Sequence, residues 1–250
     1  MPRHDFRSPR LYIDAPLAAG QRLALDAAQA NYLRNVLRLK PGEAVLLFTG
    51  RDGEWRATLA VEGKRSAALT VGEITRTQTA PTDLHYLFAP LKHARLDYMV
   101  QKAVEMGASR LQPVLMQHSQ ALRVNLDRMR ANAIEAAEQC GILSIPHIGE
   151  PMSFERMIAT REPSRLLIFC DEAADVRDPV AALTAARTDS RPLAVLIGPE
   201  GGFSDRERTA LTSLPDVVRL SLGPRILRAD TAAVAALALV GSVLGDWREG

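Results

Sequence analysis

The hydrophobic pattern of the first part of the chain is that of short strands. Apolar side chains alternate with polar ones at residues 55–61 and 66–74. A period of two is typical of strands with one buried face. A helical segment at residues 27–37 interrupts the strands and ends before a Pro-Gly pair. This pattern predicts a small β-barrel-like domain over residues 1–75.

The rest of the chain alternates strand-like and helical segments after a polar, proline-containing linker at residues 75–82. Two segments, 166–170 and 193–197, are continuous apolar runs typical of buried strands. The predicted strands are residues 84–89, 111–116, 166–170, 193–197 and 217–222, and the predicted helices are residues 92–106, 125–140 and 230–244. This alternation predicts an α/β domain over residues 80–250, in which a parallel sheet has helices on both faces.

The charge of the chain is mildly basic and unevenly distributed. The formal net charge of the 250 residues is +2, but residues 1–78 hold 12 Lys and Arg against 8 Asp and Glu. The remaining residues hold 19 against 21. The basic excess in the first domain is compatible with a phosphate-binding surface and equally with an ordinary solvated face.

Several classes of protein do not fit the composition. Cys140 and Cys170 form no CxxC pair and the five histidines are scattered, which argues against a disulfide framework or a metal site. The opening MPRHDFRSPR lacks the apolar core of a signal peptide. The longest strongly apolar stretch, residues 232–244, is shorter than the ~20 residues of a membrane span. We therefore expect a cytoplasmic protein with no metal and no membrane contact.

A glycine-rich loop follows the apolar run at residues 193–197. The loop consists of Gly198, Pro199, Glu200, Gly201 and Gly202. Glycines let a backbone approach a ligand closely, and open α/β sheets bind ligands at the carboxyl ends of their strands. Ser204 and Glu207 have the spacing of a capping box, which predicts that a helix begins there. The loop indicates a ligand site, and a simple tight turn is the alternative.

A second loop joins the strand at residues 217–222 to the last apolar helix. It reads LGPRILRADTA from Leu222, with arginines at positions 225 and 228. Guanidinium groups offer forks for phosphate or carboxylate, and Asp230 or Thr231 is the predicted N-cap of the helix. A basic, solvated loop is the alternative reading.

Neither loop carries a common nucleotide-binding fingerprint. No Gly-Lys-Ser/Thr follows the first loop, so it is not a Walker A motif, and it does not read GxGxxG. Glu200 in its centre would also repel a phosphate. These features argue against a P-loop or nicotinamide enzyme.

Together the two loops resemble the signature loops of the ribosomal RNA small subunit methyltransferase E family. These SPOUT-superfamily enzymes methylate N3 of a uridine in 16S ribosomal RNA. The resemblance extends to Lys92, to QKAVEMG from Gln101, to EAAEQCG from Glu135 and to VLR from Val36. Three positions depart from the family pattern, namely Tyr32, Ile142 and Asp230.

The resemblance implies a fold, a cofactor and partners. The second domain is expected to be a trefoil-knotted SPOUT methyltransferase domain, the first a PUA-like RNA-binding domain, and the protein a homodimer. S-adenosyl-L-methionine is the implied cofactor, and ribosomal RNA or the assembled small subunit is the implied substrate. The implied cofactor-binding residues are Leu196, Gly198, Pro199, Glu200, Gly201, Gly202, Leu222, Gly223, Ile226 and Leu227.

The implied reaction is direct methyl transfer to uracil N3, whose proton must leave. Arg228 is the first candidate for stabilising the uracil anion, and Arg225 is the second. Glu200 or Asp230 either takes the proton or holds the arginine in place, and the sequence does not separate these roles. The implied contacts to RNA phosphates are Arg10, Arg34, Arg38 and Lys92.

Two other functions fit parts of the pattern. One is a SPOUT enzyme that acts on a ribose hydroxyl or a tRNA base, against which the QKAVEMG and EAAEQ segments argue. The other is a non-catalytic RNA-binding protein with a degenerate knot, which would not require both loops to be intact.

Overall fold

The computed structural model describes residues 5, 7–61, 63, 66–175, 178–188 and 191–248. It divides the chain into two compact units. The first runs to Ala80 and includes Ala137–Ile145, and the second comprises Pro81–Ala136 and the chain from Pro146 onward. Five of the ten opening residues, on which the signal-peptide argument rests, lie outside the described residues.

The first unit is built on a five-stranded sheet. Its strands are β1 (Arg10–Tyr12), β2 (Arg22–Ala24), β3 (Ala44–Phe48), β4 (Glu54–Val61) and β5 (Ala67–Arg76). They lie in the order β1-β3-β4-β5-β2, with β1 and β3 parallel and the other neighbours antiparallel. The pairing of β4 with β5 shifts register around Trp55, and such a bulge increases the local twist. The predicted strands at residues 55–61 and 66–74 are confirmed.

A short helical segment connects β2 and β3. Helix α1 (Ala27–Asn31) begins with a capping box formed by Asp26 and Gln29, and a π-helical turn at Tyr32–Val36 continues it. Leu33 is fully buried in the core, whereas Val36 is 61% exposed. The turn therefore anchors itself through one leucine and presents its last residues to solvent.

The second unit contains a parallel sheet. Its strands are β6 (Leu84–Phe88), β7 (Arg110–Leu115), β8 (His147–Ile148), β9 (Met152–Ser153), β10 (Leu166–Cys170), β11 (Leu193–Ile197) and β12 (Val217–Leu220). The order is β12-β10-β11-β6-β7-β8, with β9 beside β7, and every pair is parallel. Strand β11 thus lies between β10 and β6. The predicted α/β fold class is confirmed.

Six α-helices begin in the second unit within the described residues. They are α2 (His93–Glu105), α3 (Leu126–Cys140), α4 (Phe154–Thr160), α5 (Pro179–Ala185), α6 (Asp205–Thr212) and α7 (Ala229–Val243). Tyr86, Phe88 and Phe169 are fully buried in the strands. No helix within the described residues has both the length and the apolar character needed to cross a membrane.

The start of the last helix differs from the prediction. The N-cap of α7 is Arg228, and its side chain makes no capping hydrogen bond. Asp230 lies in the first turn of the helix, where its carboxylate accepts hydrogen bonds from Arg95 instead of capping the helix. The predicted cap at Asp230 or Thr231 is therefore wrong.

Candidate functional site

Three loops at the carboxyl ends of neighbouring strands surround a cavity of about 510 Å³ in the second unit. Strands β10, β11 and β12 are aligned so that Cys170 pairs with both Ile197 and Leu220 at their last residues. The loops that follow therefore leave the sheet at one level. A cavity of this volume lies in the range of small-molecule sites, roughly 300–1,000 Å³.

The glycine loop after β11 forms one wall and needs its glycines. Gly202 has φ +73°, and a Cβ there would lie 2.5 Å from Oε1 of Glu172. A Cβ on Gly198 would lie 2.9 Å from the ring of Phe203. The Phe203 ring is buried and has little room to move, whereas the half-exposed Glu172 side chain can shift, so Gly202 is favoured mainly by its positive φ. Both glycines let peptide groups approach the cavity.

A capping box fixes the end of the glycine loop, as predicted. The hydroxyl of Ser204 accepts from the amide of Glu207, and the Glu207 carboxylate accepts from the amide of Ser204. Its other oxygen accepts from the amide of Gln117 at 2.8 Å. Glu207 is buried, so this carboxylate joins α6 to the loop after β7.

The loop after β12 forms the opposite wall. It turns at Gly223, whose φ is +102°, and brings Leu222, Ile226 and Leu227 to the cavity. Ile226 is 90% exposed. An isoleucine so exposed at the edge of a cavity offers an apolar surface to a ligand or a partner.

The loop after β10 completes the cavity and was not predicted. Asp171 is buried, and its carboxylate accepts from Nε of Arg208 at 2.8 Å and from Nε of Arg219 at 2.9 Å. Burial acts to raise the pKa of Asp171, but hydrogen bonds from Arg208, the Ala173 amide and Arg219 outweigh it and lower the pKa. This ion cluster ties the loop to α6 and β12. The sequence signal was weak, since a single Asp after an apolar run is common.

Arg95, on the first turn of α2, joins the two predicted loops. Its Nε and Nη2 donate to the carboxylate of Asp230, at 3.1 and 3.3 Å, and its Nη1 donates to Glu200. The hydrogen bonds from Arg95 lower the pKa of Asp230, because they stabilise its ionised form. Sequence reasoning missed Arg95 because it lies 105 and 135 positions from its partners.

Most of the predicted cofactor residues line the cavity. Those that do are Gly198, Pro199, Glu200, Gly201, Gly202, Leu222, Gly223, Ile226 and Leu227. Leu196 does not line it, because its side chain is fully buried in the core with Phe169 and Leu211. Its side chain is therefore not available to a ligand, and a contact through its backbone stays a prediction.

The two candidate arginines differ in position. Arg225 lines the cavity. Arg228 is exposed at the N-cap of α7 and is not among the lining residues. Within the described part of the chain its side chain makes no hydrogen bond or ion pair, so the pairing with Glu200 or Asp230 belongs to Arg95.

A second cavity, of about 860 Å³, lies beside the start of α2. Its lining residues are Leu91, Lys92, Leu96, Asp97, Gln120, Ala121, Leu122, Arg123, Val124, Asn125, Arg128 and Met129. Lys92, predicted to contact RNA, is exposed there. The two cavities are linked through α2, because Arg95 on the same turn donates to Glu200, which lines the first cavity.

The other three residues predicted to contact RNA lie in the first unit and differ in their exposure to solvent. Arg10 is buried, donating to Glu54 at 3.0 Å, so it is not available to RNA phosphates and that prediction is wrong. Arg34 is half-buried and donates to the carbonyl of Gly63 at 3.0 Å. Arg38 is exposed just after the π-helical turn, with φ +57°.

The described residues contain no group of three or more His, Cys, Asp or Glu side chains placed to hold a metal ion. Cys170, at the end of β10, lines the first cavity, and burial raises the pKa of its thiol to about 12. This thiol is therefore protonated and a poor nucleophile.

Two family models match the chain in the order of its two units. An RNA methyltransferase PUA domain matches residues 25–72, and an RNA methyltransferase domain matches residues 78–241. The second model alone covers more than half of the chain.

Relatives and solved structures agree with these models. A protein of Rickettsia conorii named Ribosomal RNA small subunit methyltransferase E is 28% identical, over 92% of this chain and 94% of its own. A protein of the same name from Bacillus subtilis is 25% identical over 87% and 88%. The crystal structure of a Neisseria gonorrhoeae protein with that name, bound to S-adenosyl methionine, is 26% identical with a TM-score of 0.79, covering 96% of this chain and 100% of that one.

Proposed function

Because the chain belongs to the family of RNA methyltransferases that carry this catalytic domain behind a PUA domain, we propose that it methylates N3 of a uridine in 16S ribosomal RNA. The relatives named Ribosomal RNA small subunit methyltransferase E support the choice of RNA. The single observation that carries the proposal is the cavity that both signature loops line.

The cavity suits S-adenosyl-L-methionine, the cofactor bound in the Neisseria gonorrhoeae neighbour. The glycines of this loop, with a positive φ at Gly202, let peptide groups come close to a ligand. Leu222, Ile226 and Leu227 provide an apolar surface for an adenine ring, and Glu200 supplies a negative charge on the side of Arg95. When bound, this cofactor supplies an activated methyl group.

The residues around the cavity are assigned to three roles, which are stabilising the uracil anion, accepting its proton and positioning Arg95. A weakly acidic N3–H needs a nearby cation to stabilise the anion as the proton leaves. We assign this role to Arg225 or Arg228, and the position of Arg225 in the cavity wall supports Arg225 first. Hydrogen bonds from Arg95 lower the pKa of Asp230, which makes it a weaker base, so we assign Asp230 to holding Arg95 in place. Glu200 also accepts from Arg95, but it lines the cavity, so we assign it to accept the proton.

The first unit is proposed to bind RNA around its π-helical turn. Val36 and Leu37 are exposed apolar side chains, and Arg38 follows them into solvent. An exposed cation next to apolar side chains can contact a phosphate and an unstacked base together. We assign residues 1–75 to this RNA-binding domain and residues 80–250 to the methyltransferase domain.

We further propose a homodimer and the trefoil knot that the family resemblance implies. Helix α7 is almost entirely apolar, yet Ala235, Ala238 and Leu239 on one side are only half-buried. A half-exposed apolar helix face is typical of a subunit interface. Sedimentation at micromolar concentration checks this, and a stable monomer would contradict it.

Mapping of modified nucleosides by mass spectrometry tests the function. RNA from cells with and without the gene should differ by one 3-methyluridine in 16S ribosomal RNA. The purified protein should restore it to unmodified subunits or RNA in the presence of S-adenosyl-L-methionine. A methylated ribose or a modified tRNA instead would favour the alternative SPOUT activity.

A further inference from the structure

We propose that the second cavity, called here the α2 groove, binds the single-stranded RNA segment that carries the target uridine. The base would then pass Arg95 to reach the cofactor cavity. This inference rests on the proposed function, and it adds a place for the substrate that neither the loops nor the relatives supply.

The first connection between the two cavities is the opening turn of α2. Lys92 and Leu96 line the α2 groove, whereas Arg95 reaches over to Glu200 and Asp230. Successive residues of a helix point about 100° apart, so one turn can serve two cavities. A ligand in the groove would therefore lie next to the ion pairs at the rim of the cofactor cavity.

The second connection is the loop after β7. The amide of Gln117 donates to Glu207, and a ring nitrogen of His118 lies 3.0 Å from the carbonyl oxygen of Gly202. A few residues on, Leu122 and Arg123 form the wall of the α2 groove. A cofactor that fixes the glycine loop would thus also fix this wall, which predicts that the two ligands bind cooperatively.

The chemistry of the groove suits a nucleotide. Arg128 is held by two hydrogen bonds to Asp97, at 2.9 and 2.5 Å. Lys92 and Arg123 make no side-chain hydrogen bond or ion pair with the described residues, so their charges are available to phosphates. Two phosphate-binding cations beside apolar side chains match the general plan of single-strand binding sites.

The floor and size of the groove support the same occupant. Leu91, Leu96 and Met129 are buried beneath it, and Leu122 stands 68% exposed at its edge. The volume of about 860 Å³ is near the upper end of ordinary ligand sites, which leaves room for a nucleotide and part of its neighbour.

The test removes the two cations from the full-length protein and keeps a matched control. Lys92→Ala and Arg123→Ala should each weaken binding to unmethylated 16S ribosomal RNA about three- to tenfold. Each should also lower the slope of log affinity against log salt by about one, as expected when a phosphate contact is lost. Arg130→Ala, an exposed arginine of α3 outside the groove, should change neither quantity.

A second measurement tests the connection between the cavities. S-adenosylhomocysteine should tighten RNA binding by the wild-type protein, and His118→Ala should reduce that effect without abolishing RNA binding. Affinity for S-adenosyl-L-methionine, measured by calorimetry, should be unchanged in Lys92→Ala and Arg123→Ala. This readout shows that the variants remain folded.

Three outcomes would overturn the proposal. RNA affinity and salt slope could be unchanged in both cation variants, or Arg130→Ala could have the same effect as they do. A Leu122→Asp variant that turns a dimer into a monomer would show that a second copy of the chain covers the groove. Failure of the proposed function is separate, because the wild-type protein would then not bind the cofactor or form 3-methyluridine.

Discussion

The guanidinium of Arg95 forms a bidentate pair with the carboxylate of Asp230, with Nε 3.1 Å from Oδ2 and Nη2 3.3 Å from Oδ1. A bidentate pair fixes orientation as well as distance. The start of α2 therefore holds the start of α7, and the bond from Nη1 to Glu200 adds the glycine loop to the same arginine.

Arg95→Ala should weaken cofactor binding, because the walls of the cavity lose the cation that joins them. The pairs are partly exposed, so we expect a two- to tenfold rise in the Kd for S-adenosyl-L-methionine, on the order of what such pairs contribute. Arg95→Lys should restore only part of it, since an ammonium group cannot form the fork. Calorimetry measures the cofactor affinity of both Arg95 variants, with Arg206→Ala, a change at an exposed arginine, as the control. Equal affinities in the wild type and all three variants would contradict this role of Arg95.

Arg225→Ala should lower kcat more than Arg228→Ala. Loss of a cation that stabilises the uracil anion is expected to lower kcat on the order of 10²-fold, and Arg225 is the one that lines the cavity. Steady-state kinetics on both variants, with cofactor affinity measured alongside, decides the point. A larger loss in Arg228→Ala would favour the assignment drawn from the sequence.

Arg10→Ala should lower the stability of the protein, whereas Arg38→Ala should weaken its binding to RNA. Arg10→Ala leaves the buried carboxylate of Glu54 with Arg76 and Thr75 as its remaining partners among the described residues, so we expect a loss of about 2–4 kcal/mol in the free energy of unfolding. Arg38→Ala should spare the melting temperature and weaken RNA binding in a salt-dependent way. Thermal unfolding and RNA titration of both variants check this, and a stable Arg10→Ala variant with weak RNA binding would reverse the roles.

The stability of the protein should depend on pH through His85. Burial and the charges of Arg165 and Arg110 lower its pKa to about 4, against the nearby charges of Asp83 and Glu162. The unfolded chain then binds the proton more strongly, so stability should be lost as the pH falls from about 6.5 towards 4.

The expected contribution of His85 is on the order of 1–2 kcal/mol, allowing for its partial exposure. His85→Gln should flatten the dependence of the melting temperature on pH in that window. The exposed His147→Gln is the matched control. An unchanged slope in His85→Gln would show that another group is responsible.

Gly202→Ala should weaken cofactor binding, because the new Cβ would lie 2.5 Å from Oε1 of Glu172 and this half-exposed side chain in the cavity wall would have to move. Gly20→Ala provides the comparison, since Gly20 also has a positive φ but no atom within 4 Å of the added Cβ. Both should lose about 1 kcal/mol of stability from backbone strain. Only Gly202→Ala should weaken cofactor binding, and an unchanged affinity would mean that displacing the Glu172 side chain does not affect the cofactor.

The sequence predicted the parts of the fold that depend on local patterns. Strands β10 and β11 have the predicted bounds because each is one continuous apolar run. The start of α6 was predicted because a capping box is a local arrangement of two residues. The two-residue strands β8 and β9 carry too few positions to show a period.

The candidate site was only partly predictable, because some of its contacts join residues that are distant in the sequence. Its loops carry recognisable motifs, but Arg95 and Asp171 act through partners that are distant in sequence. Arg10 is buried with a hydrogen bond to Glu54, 44 positions away in the sequence, whereas arginines are usually exposed. Long-range pairing decides these roles, and no local pattern records it.

The position of β11 between β10 and β6 has a consequence for synthesis on the ribosome. The chain emerges from its amino end, so β6 and β10 are both available before the strand that separates them. Until residues 193–197 emerge, each of these apolar strands has an edge without its native neighbour, and such edges promote aggregation. We expect the second unit to stay dependent on chaperones until late in translation, and the cofactor to bind only after the loop that follows β12 has emerged, because that loop forms one wall of the cavity.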